Sequence, residues 1–381
     1  MTKYLIIGAG IAGSTAAETI RERDKEGEIT LISGERELVY NRVVLPNYLK
    51  GRAPREKLFV KTPESLFAKN ITVKFGVWAQ SVAAGKRTVT LDSGEILSFD
   101  KLLIATGGRP KKWPVPGADK PGVFHFQTLA DADAMIEYLP NVKRAAIVGG
   151  GFISLEFIDA FHYRRLETDL LLGGPYYWPQ MMDEEQSLRL VRQIESLGVR
   201  VRSNQTVNAV LGRAAAGGVR TEQGLEVEAD LVGYGIGLDR YIEFLRGTDI
   251  KTNQGVVVNE YLESSVAGIY AAGDAAEQGR VTGNWDNALR QGKAAGMNMA
   301  GIKTPYQEVA FYSMSVSGLF LAMLGNTAAA EADEVKVLKD ETEYVKILLS
   351  KGRVMGAVFV GGARHVMPLK RLMAEKKGLR H

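Results

Sequence analysis

The chain has 381 residues, 45% hydrophobic and 24% charged, with 42 glycines and no cysteine. That length accommodates two or three domains of ~100–200 residues, and the missing thiols exclude disulfides, a cysteine nucleophile and Cys-ligated zinc or iron–sulfur centres. The 48 basic and 44 acidic residues are largely interspersed and leave +4, which fits an acidic partner better than a nucleic acid.

The four histidines, His125, His162, His365 and His381, have no ligand spacing, so no metal site is expected. Apolar stretches fall well short of the ~20 residues that cross a bilayer, and nothing near the N-terminus resembles a cleavage site. No integral membrane association and a cytoplasmic location are therefore expected.

In chain order, Tyr4–Ile7 reads as a buried strand, Gly8 to Gly13 as a turn, Ser14–Arg23 as an Ala-rich helix and Glu28–Ser33 as a second strand. Val73–Val77, Thr88–Leu91 and Ile96–Phe99 read as a meander that closes on Lys101 to Gly108. The Pro-rich stretch 109–116 reads as a linker. A second strand–turn–helix–strand unit follows, with Ala145–Val148, Gly149 to Ser154, Leu155–Arg165 and Thr168–Leu172. Another meander spans about 199–236 and exits at Gly235-Ile236-Gly237, so the sequence carries a weak internal duplication. The last piece alternates as strands at Ser313–Val316, Val335–Leu338, Tyr344–Leu349 and Val354–Val360, and ends in a helical basic tail.

Gly8-x-Gly10-x-x-Gly13 lies between a strand and a helix. There, glycines permit the tight turn, the close approach of backbone to a pyrophosphate and the packing of helix on strand. Glu35, 22 residues beyond Gly13, lies just past the next strand, where a carboxylate can accept from ribose hydroxyls. In the second copy, Gly149-x-Gly151-x-x-Ser154, serine replaces the third glycine. Leu170 to Gly174 then offers neither a carboxylate for a ribose nor an arginine for a 2′-phosphate, so NAD and NADP are not distinguished. Tyr176-Tyr177-Trp178 have two readings, adenine stacking or loop packing.

Two such units, each followed by a meander, resemble the flavoproteins of the pyridine nucleotide–disulfide oxidoreductase superfamily. Ile104-Ala105-Thr106-Gly107 is similar to that superfamily's ATG motif, and Gly268 to Asp274 to its late FAD motif. Tyr40-Asn41-Arg42 is similar to the segment along the flavin, and Gly151 to Glu156 to the second fingerprint. Val43-Val44-Leu45, Trp285 with Ala288 and Gln291-Gly292, and Ser315 to Leu319 resemble the FAD-dependent rubredoxin and ferredoxin reductases and the N-terminal part of NADH-dependent nitrite reductases.

The resemblance implies an α/β fold with two Rossmann-like dinucleotide-binding domains and a C-terminal α+β domain. The FAD domain is discontinuous, 1–108 and 241–304, with the NAD(P) domain, 109–240, inserted and 305–381 as the third domain. It implies FAD and NAD(H) or NADP(H) as cofactors. The cofactor-binding residues it implies are Gly8, Gly10, Ala12, Gly13, Glu35, Arg42, Ala105, Thr106, Gly107, Arg109, Gly149, Gly151, Phe152, Ile153, Glu156, Gly237, Gly273, Asp274 and Trp285. Glu156 and Arg42 carry the catalytic roles: Glu156 orients the nicotinamide or steadies flavin charge, and Arg42 lines the flavin or its pyrophosphate. Reductases of this type often pair that glutamate with a lysine. Asn47 stands there in this chain, which implies a Glu156 without its cation and with a raised pKa.

Without a thiol beside it, the flavin itself must hand on the electrons. The implied activity is electron transfer between NAD(P)H and a small, acidic iron–sulfur protein, by hydride transfer to flavin and single-electron release, in a monomer or homodimer. Two basic clusters could meet such a carrier: Lys50, Arg52, Arg55, Lys57 and Lys61, and Lys370, Arg371, Lys376, Lys377 and Arg380. The alternatives are the flavin subunit of a larger electron-transfer complex with a weakened nicotinamide site, and an NADH oxidase or quinone reductase. For the last, residues 366–373 are only mildly amphipathic and imply weak membrane association.

Overall fold

The computed structural model describes residues 1–37, 39–281 and 283–375. They pack into two compact units: Met1–Val44, Pro54–Arg109 and Leu238–Gln307 form one, and Leu45–Ala53, Pro110–Gly237 and the residues from Glu308 onward form the other.

The first unit is built on a parallel five-stranded sheet in the order Ile269–Ala271, Lys101–Ile104, Lys3–Ile7, Glu28–Ser33, Ile71–Phe75. Its central strands read as continuous apolar runs because both faces are covered; Leu5, Ile6, Leu31 and Leu102 are fully buried. The helix Ile11–Arg23 returns the chain from the first strand to the second and packs against the helix Trp285–Met299. Those helices meet through small residues. A side chain at Gly292 would overlap the Ala12 carbonyl, and one at Gly296 would crowd the Ala16 carbonyl.

The strand Ile71–Phe75 joins the parallel sheet in register with Glu28–Ser33 and does not open the meander as expected. The meander is Ala79–Ala83, Thr88–Leu91 and Ile96–Ser98, and its first strand went unread.

The second unit repeats the plan. Its parallel sheet runs Arg200–Arg202, Glu167–Leu171, Arg144–Val148, Leu231–Tyr234, Val123–Phe124, and the helix Phe152–Tyr163 follows the central strand. A meander of Val207–Leu211, Gly218–Thr221 and Glu226–Glu228 is attached.

The same unit contains an antiparallel sheet ordered Phe311–Val316, Leu319–Gly325, Arg353–Gly361, Tyr344–Ser350, Glu334–Lys339. The helix Val366–Ala374 closes it by burying Val366 and Leu369 in the sheet's core. Buried Gln186 donates to the Val358 carbonyl (3.0 Å) and Tyr344 to Asp183 (3.0 Å), so this sheet packs as one unit with 110–237.

The short helix Leu45–Leu49 also belongs to the second unit, outside the segment the sequence reading assigned it to. Tyr48 donates to Asp133 (2.7 Å), and the Arg164 guanidinium donates twice to the Leu49 carbonyl (3.0 and 2.8 Å).

Candidate dinucleotide sites

The first fingerprint turn is set by what its glycines lack. Gly8 has φ +107°, and a side chain there would overlap the Ala105 carbonyl. A side chain at Gly13 would overlap the Gly8 carbonyl. Gly10 differs, since a Cβ would meet nothing within 4 Å. It is the N-cap of the helix Ile11–Arg23, with no side chain capping it and no acid in the first turn, while Arg21 and Arg23 complement the far end. The first-turn N–H groups are therefore left for a ligand with acceptor oxygens.

Gly273 (φ +72°) lets the late motif close on this turn; a Cβ there would lie 3.3 Å from that of Ala12 and 3.4 Å from that of Ala288. Its N–H is fixed by Gln291 Oε1 (2.8 Å). The next residue, Asp274, is raised from the ordinary carboxylate pKa by burial, against the pull of Arg240 and Arg42. Arg42 extends this cluster toward Glu35. Its Nη2 donates to Glu35 Oε1 (2.5 Å), and its guanidinium lies over the Tyr40 ring (5.2 Å). Tyr40 donates to the other oxygen of Glu35 (2.6 Å). Burial disfavours the Arg42 charge, but Tyr40, Glu35 and Asp274 outweigh it.

Arg240 was not picked out from the sequence. Its Nε is buried without a hydrogen-bond partner, a donor that an anionic group would satisfy. An uncapped helix N-terminus over open space, with Arg42 and Arg240 both acting on Asp274, fits a dinucleotide pyrophosphate.

Thr106, Gly107 and Arg109 lie on the exit from the strand Lys101–Ile104. Thr106 donates to the Tyr241 carbonyl (2.7 Å), and Gly107 (φ +67°) borders open space. Arg109 pairs with Glu243 and lies over the Tyr241 ring (5.3 Å), so its charge is already engaged. Trp285 is the first residue of its helix, after the N-cap Asn284, and packs against the unit's core.

In the second unit Gly149 (φ +116°) repeats Gly8: a side chain would overlap the Gly235 carbonyl. Gly151 repeats Gly10, as an uncapped N-cap over open space. Ser154 in place of a third glycine is accommodated because Gly149 and Gly235 have no side chains; a Cβ on either would approach its Oγ to 3.4 and 3.3 Å. The Ile153 side chain covers Gly235, and the Gly237 carbonyl accepts from the Lys111 N–H (3.0 Å).

Phe152 packs against Tyr312 (3.8 Å between centroids) and edge-on to Trp178 (4.4 Å). Tyr177 is fully buried and donates to the Gly151 carbonyl (2.6 Å). Tyr177 thus braces the fingerprint turn, and adenine stacking does not apply to it.

Glu156 lies one turn into the helix Phe152–Tyr163. Burial pushes its carboxyl up to about 8, opposed by the Lys50 charge. The raised pKa was expected, but the missing cation was not quite right. Lys50, one helical turn beyond Asn47, supplies a cation and spends it on Asp159. Tyr312 faces the same carboxyl, and its hydroxyl is raised by burial and by the Glu156 charge. Asp159 and Tyr312 went unread, and Lys50 was read only as part of a basic docking cluster; the i, i+3 spacings Asn47–Lys50 and Glu156–Asp159 were the available signal.

The first basic cluster is largely engaged within the chain. Lys50 pairs with Asp159, Lys61 with Glu18 and Arg55 with Glu37 (3.0 Å), and Arg52 lies over the Tyr163 ring. In the second cluster Arg371 pairs with Glu375 (2.9 Å) and Lys370 lies over Phe311; Lys376, Lys377 and Arg380 fall outside the described residues. No helix among the described residues is long and apolar enough to cross a membrane.

Residues 2–292 match the family described as Pyridine nucleotide-disulphide oxidoreductase, and residues 312–377 match the Rubredoxin NAD+ reductase C-terminal domain. The chain is 29% identical to Nitrite reductase [NAD(P)H] of Bacillus subtilis (strain 168), over 94% of this chain and 45% of that protein. It is 27% identical to NADH-rubredoxin oxidoreductase of Clostridium acetobutylicum, over 99% of this chain and 95% of that one. It therefore spans less than half the length of the first relative and nearly all of the second.

The covalent putidaredoxin reductase-putidaredoxin complex contains a chain that superposes with a TM-score of 0.91 at 25% identity, over 98% of this chain and 93% of that chain. With both fingerprints in place and the match running through 291 consecutive positions from residue 2 to residue 292, this chain belongs to the pyridine nucleotide-disulphide oxidoreductase family, whose members bind FAD and NAD(P)H.

Proposed function

We propose that this chain is an FAD-dependent oxidoreductase that moves electrons between NADH or NADPH and a small iron–sulfur carrier of the rubredoxin or ferredoxin type. The observation that carries this reading is the pairing of two glycine fingerprints with a chain that has no cysteine. A disulfide route is closed, which leaves direct release from the flavin. The rubredoxin-reductase type of C-terminal domain and the rubredoxin-reducing relative support the choice of carrier.

On this reading the unit of residues 1–44, 54–109 and 238–307 holds FAD, residues 110–237 hold the nicotinamide cofactor, and the sheet from residue 308 onward forms the third domain. Bound FAD supplies acceptance of a hydride, two electrons with one proton, and their release one at a time. The N–H groups after Gly10, together with Arg42 and Arg240, bind and neutralise the pyrophosphate, and Glu35 accepts from the ribose. Asp274 holds the ribityl hydroxyls. Gly149, Gly151, Phe152 and Ile153 form the nicotinamide cofactor's turn, and Glu156 orients the nicotinamide through a carboxyl that keeps its proton near neutral pH. The carrier is acidic, and the protein works in the cytoplasm as a monomer or homodimer.

The test is an anaerobic titration of the flavin-loaded protein with NADH and with NADPH, then with rubredoxin or ferredoxin. Bleaching of the oxidised flavin at about one equivalent, and its recovery on adding oxidised carrier, is the expected result. No bleaching by either nucleotide overturns the proposal.

A second reading is the flavin subunit of a larger assembly. It is favoured by Ser154 and Leu172 in the second fingerprint. Co-purification with an iron–sulfur protein and poor reduction by free nucleotide separate it from the first.

A further inference from the structure

The second fingerprint helix carries two acids one turn apart, Glu156 and Asp159, and the segment after Arg42 carries Asn47 and Lys50 at the same spacing. Residues three apart on a helix share a face. The structure joins the outer members of this set. Lys50 Nζ donates to Asp159 Oδ2, and their side chains are only 10% and 18% exposed.

The other oxygen of Asp159 accepts from Ser317 Oγ (2.8 Å). Ser317 sits in the turn between the strands Phe311–Val316 and Leu319–Gly325, with a left-handed φ of 43° unusual for a residue other than glycine. Lys50 is itself tethered, because its N–H donates to the Pro46 carbonyl (3.0 Å) and Arg164 clamps the Leu49 carbonyl. A cation whose charge acts on Glu156 is therefore committed to the neighbouring Asp159 by contacts on three elements. The groups around Glu156 are Lys50 just after the short helix Leu45–Leu49, Tyr312 from the strand Phe311–Val316 and Asp159 on its own helix. Lys50 is the charge that opposes the effect of burial there.

We propose that Asp159, braced by Ser317, is a positioning residue that draws the Lys50 ammonium off Glu156 and so keeps the Glu156 carboxyl neutral and able to donate a hydrogen bond. Its consequence for hydride transfer rests on the function proposed above; the proton held on Glu156 is a property of the chain alone. Neutralising Asp159 removes one negative charge beside Glu156 and frees one positive charge to approach it. Both changes favour the ionised carboxylate.

The test reads the Glu156 proton directly in the flavin-loaded protein without nucleotide. Infrared difference spectra across pH 5–10 follow the protonated carboxyl band, assigned by its loss in Glu156→Gln. The expected results are a downward shift of the midpoint by roughly one to three pH units in Asp159→Asn, a smaller downward shift in Ser317→Ala and an upward shift in Lys50→Met. In the double variant Lys50→Met with Asp159→Asn, most of the downward shift disappears.

An unmoved midpoint in Asp159→Asn, or a shift of the same size without Lys50, overturns the proposal. Should Asp159→Asn fail to fold, Ser317→Ala and Lys50→Met decide it by the opposite signs of their shifts. The pH profile of flavin reduction by NADH forms the second arm. A carboxyl midpoint that moves while the reduction profile stays put leaves the positioning role intact and removes Glu156 from the nicotinamide chemistry.

Discussion

Glu156 holds a proton that a solvated glutamate would lose, and folding is linked to that proton. Its folded-state pKa, about 8, lies above the ordinary value of 4.5. The folded state therefore binds the proton more tightly than the unfolded chain. The associated stability is fully present below about pH 4.5 and is lost as pH rises through 8, with each unit of difference worth about 1.4 kcal/mol. In Glu156→Gln the side chain is neutral throughout. Thermal unfolding of the flavin-loaded variant should match that of the parent at about pH 4 and exceed it increasingly toward pH 8.5. Equal melting curves at both ends would mean that burial does not hold the proton. A raised pKa was expected from Asn47 standing where a lysine is common, but its cause is burial, and a cation, Lys50, acts against it. Lys50 and Asp159 meet only after two segments more than a hundred residues apart in sequence have packed together. Arg240 was hidden for a similar reason, since one arginine among many carries no signal until its Nε is seen buried without a partner.

The helices Ile11–Arg23 and Trp285–Met299 approach closely only because glycine and alanine line their contact, and this contact places Ala12 against Gly273. Gly292→Ala would drive a methyl group into the Ala12 carbonyl. Helix propensity favours alanine by about 1 kcal/mol, but overpacking a tight contact costs roughly 1–3 kcal/mol, so the net effect is destabilising. A lower melting temperature and faster loss of flavin on dilution are expected in the variant. Unchanged flavin retention would detach this contact from the site. Glycine spacing made both fingerprints and their helices readable, with the helices starting earlier than their apolar patterns suggested. The strand reading was weaker between residues 71 and 104. Ile71–Phe75 is a short β-prone run, and periodicity does not distinguish a parallel-sheet strand from the first strand of a meander, while Ala79–Ala83, with Val82 as its one β-branched residue, carries little strand signal. The strand Leu319–Gly325 was missed because Leu319-Phe320-Leu321-Ala322-Met323-Leu324 is apolar throughout and lacks the alternation used to recognise its neighbours. Packing also assigns Leu45–Leu49 to the second unit, which the order of motifs along the chain could not convey.

A surplus of four positive charges on 381 residues is a weak field unless it is concentrated. The basic run from Lys50 to Lys61 reads as a docking patch in sequence, yet three of its five cations are paired with acids of the chain. Lys61 illustrates the consequence. Burial would raise the Glu18 carboxyl, but Lys61 and Lys69 hold it below its ordinary value. That contribution to stability is present above about pH 4.5 and is lost as pH falls through the depressed folded-state value. Lys61→Ala should therefore lower stability at pH 7 by roughly 1–3 kcal/mol, between the range for exposed pairs and that for buried ones. The rate of carrier reduction should keep its salt dependence in that variant. For the parent protein with an acidic carrier, the second-order rate should fall with added salt, by less than about tenfold between low and physiological ionic strength, because dispersed charge steers weakly. Stopped-flow reduction of carrier by the reduced protein at several salt concentrations measures both. A steep dependence that Lys61→Ala flattens would restore the basic run as the docking face, whereas a shallow one with an altered melting point identifies it as part of the scaffold.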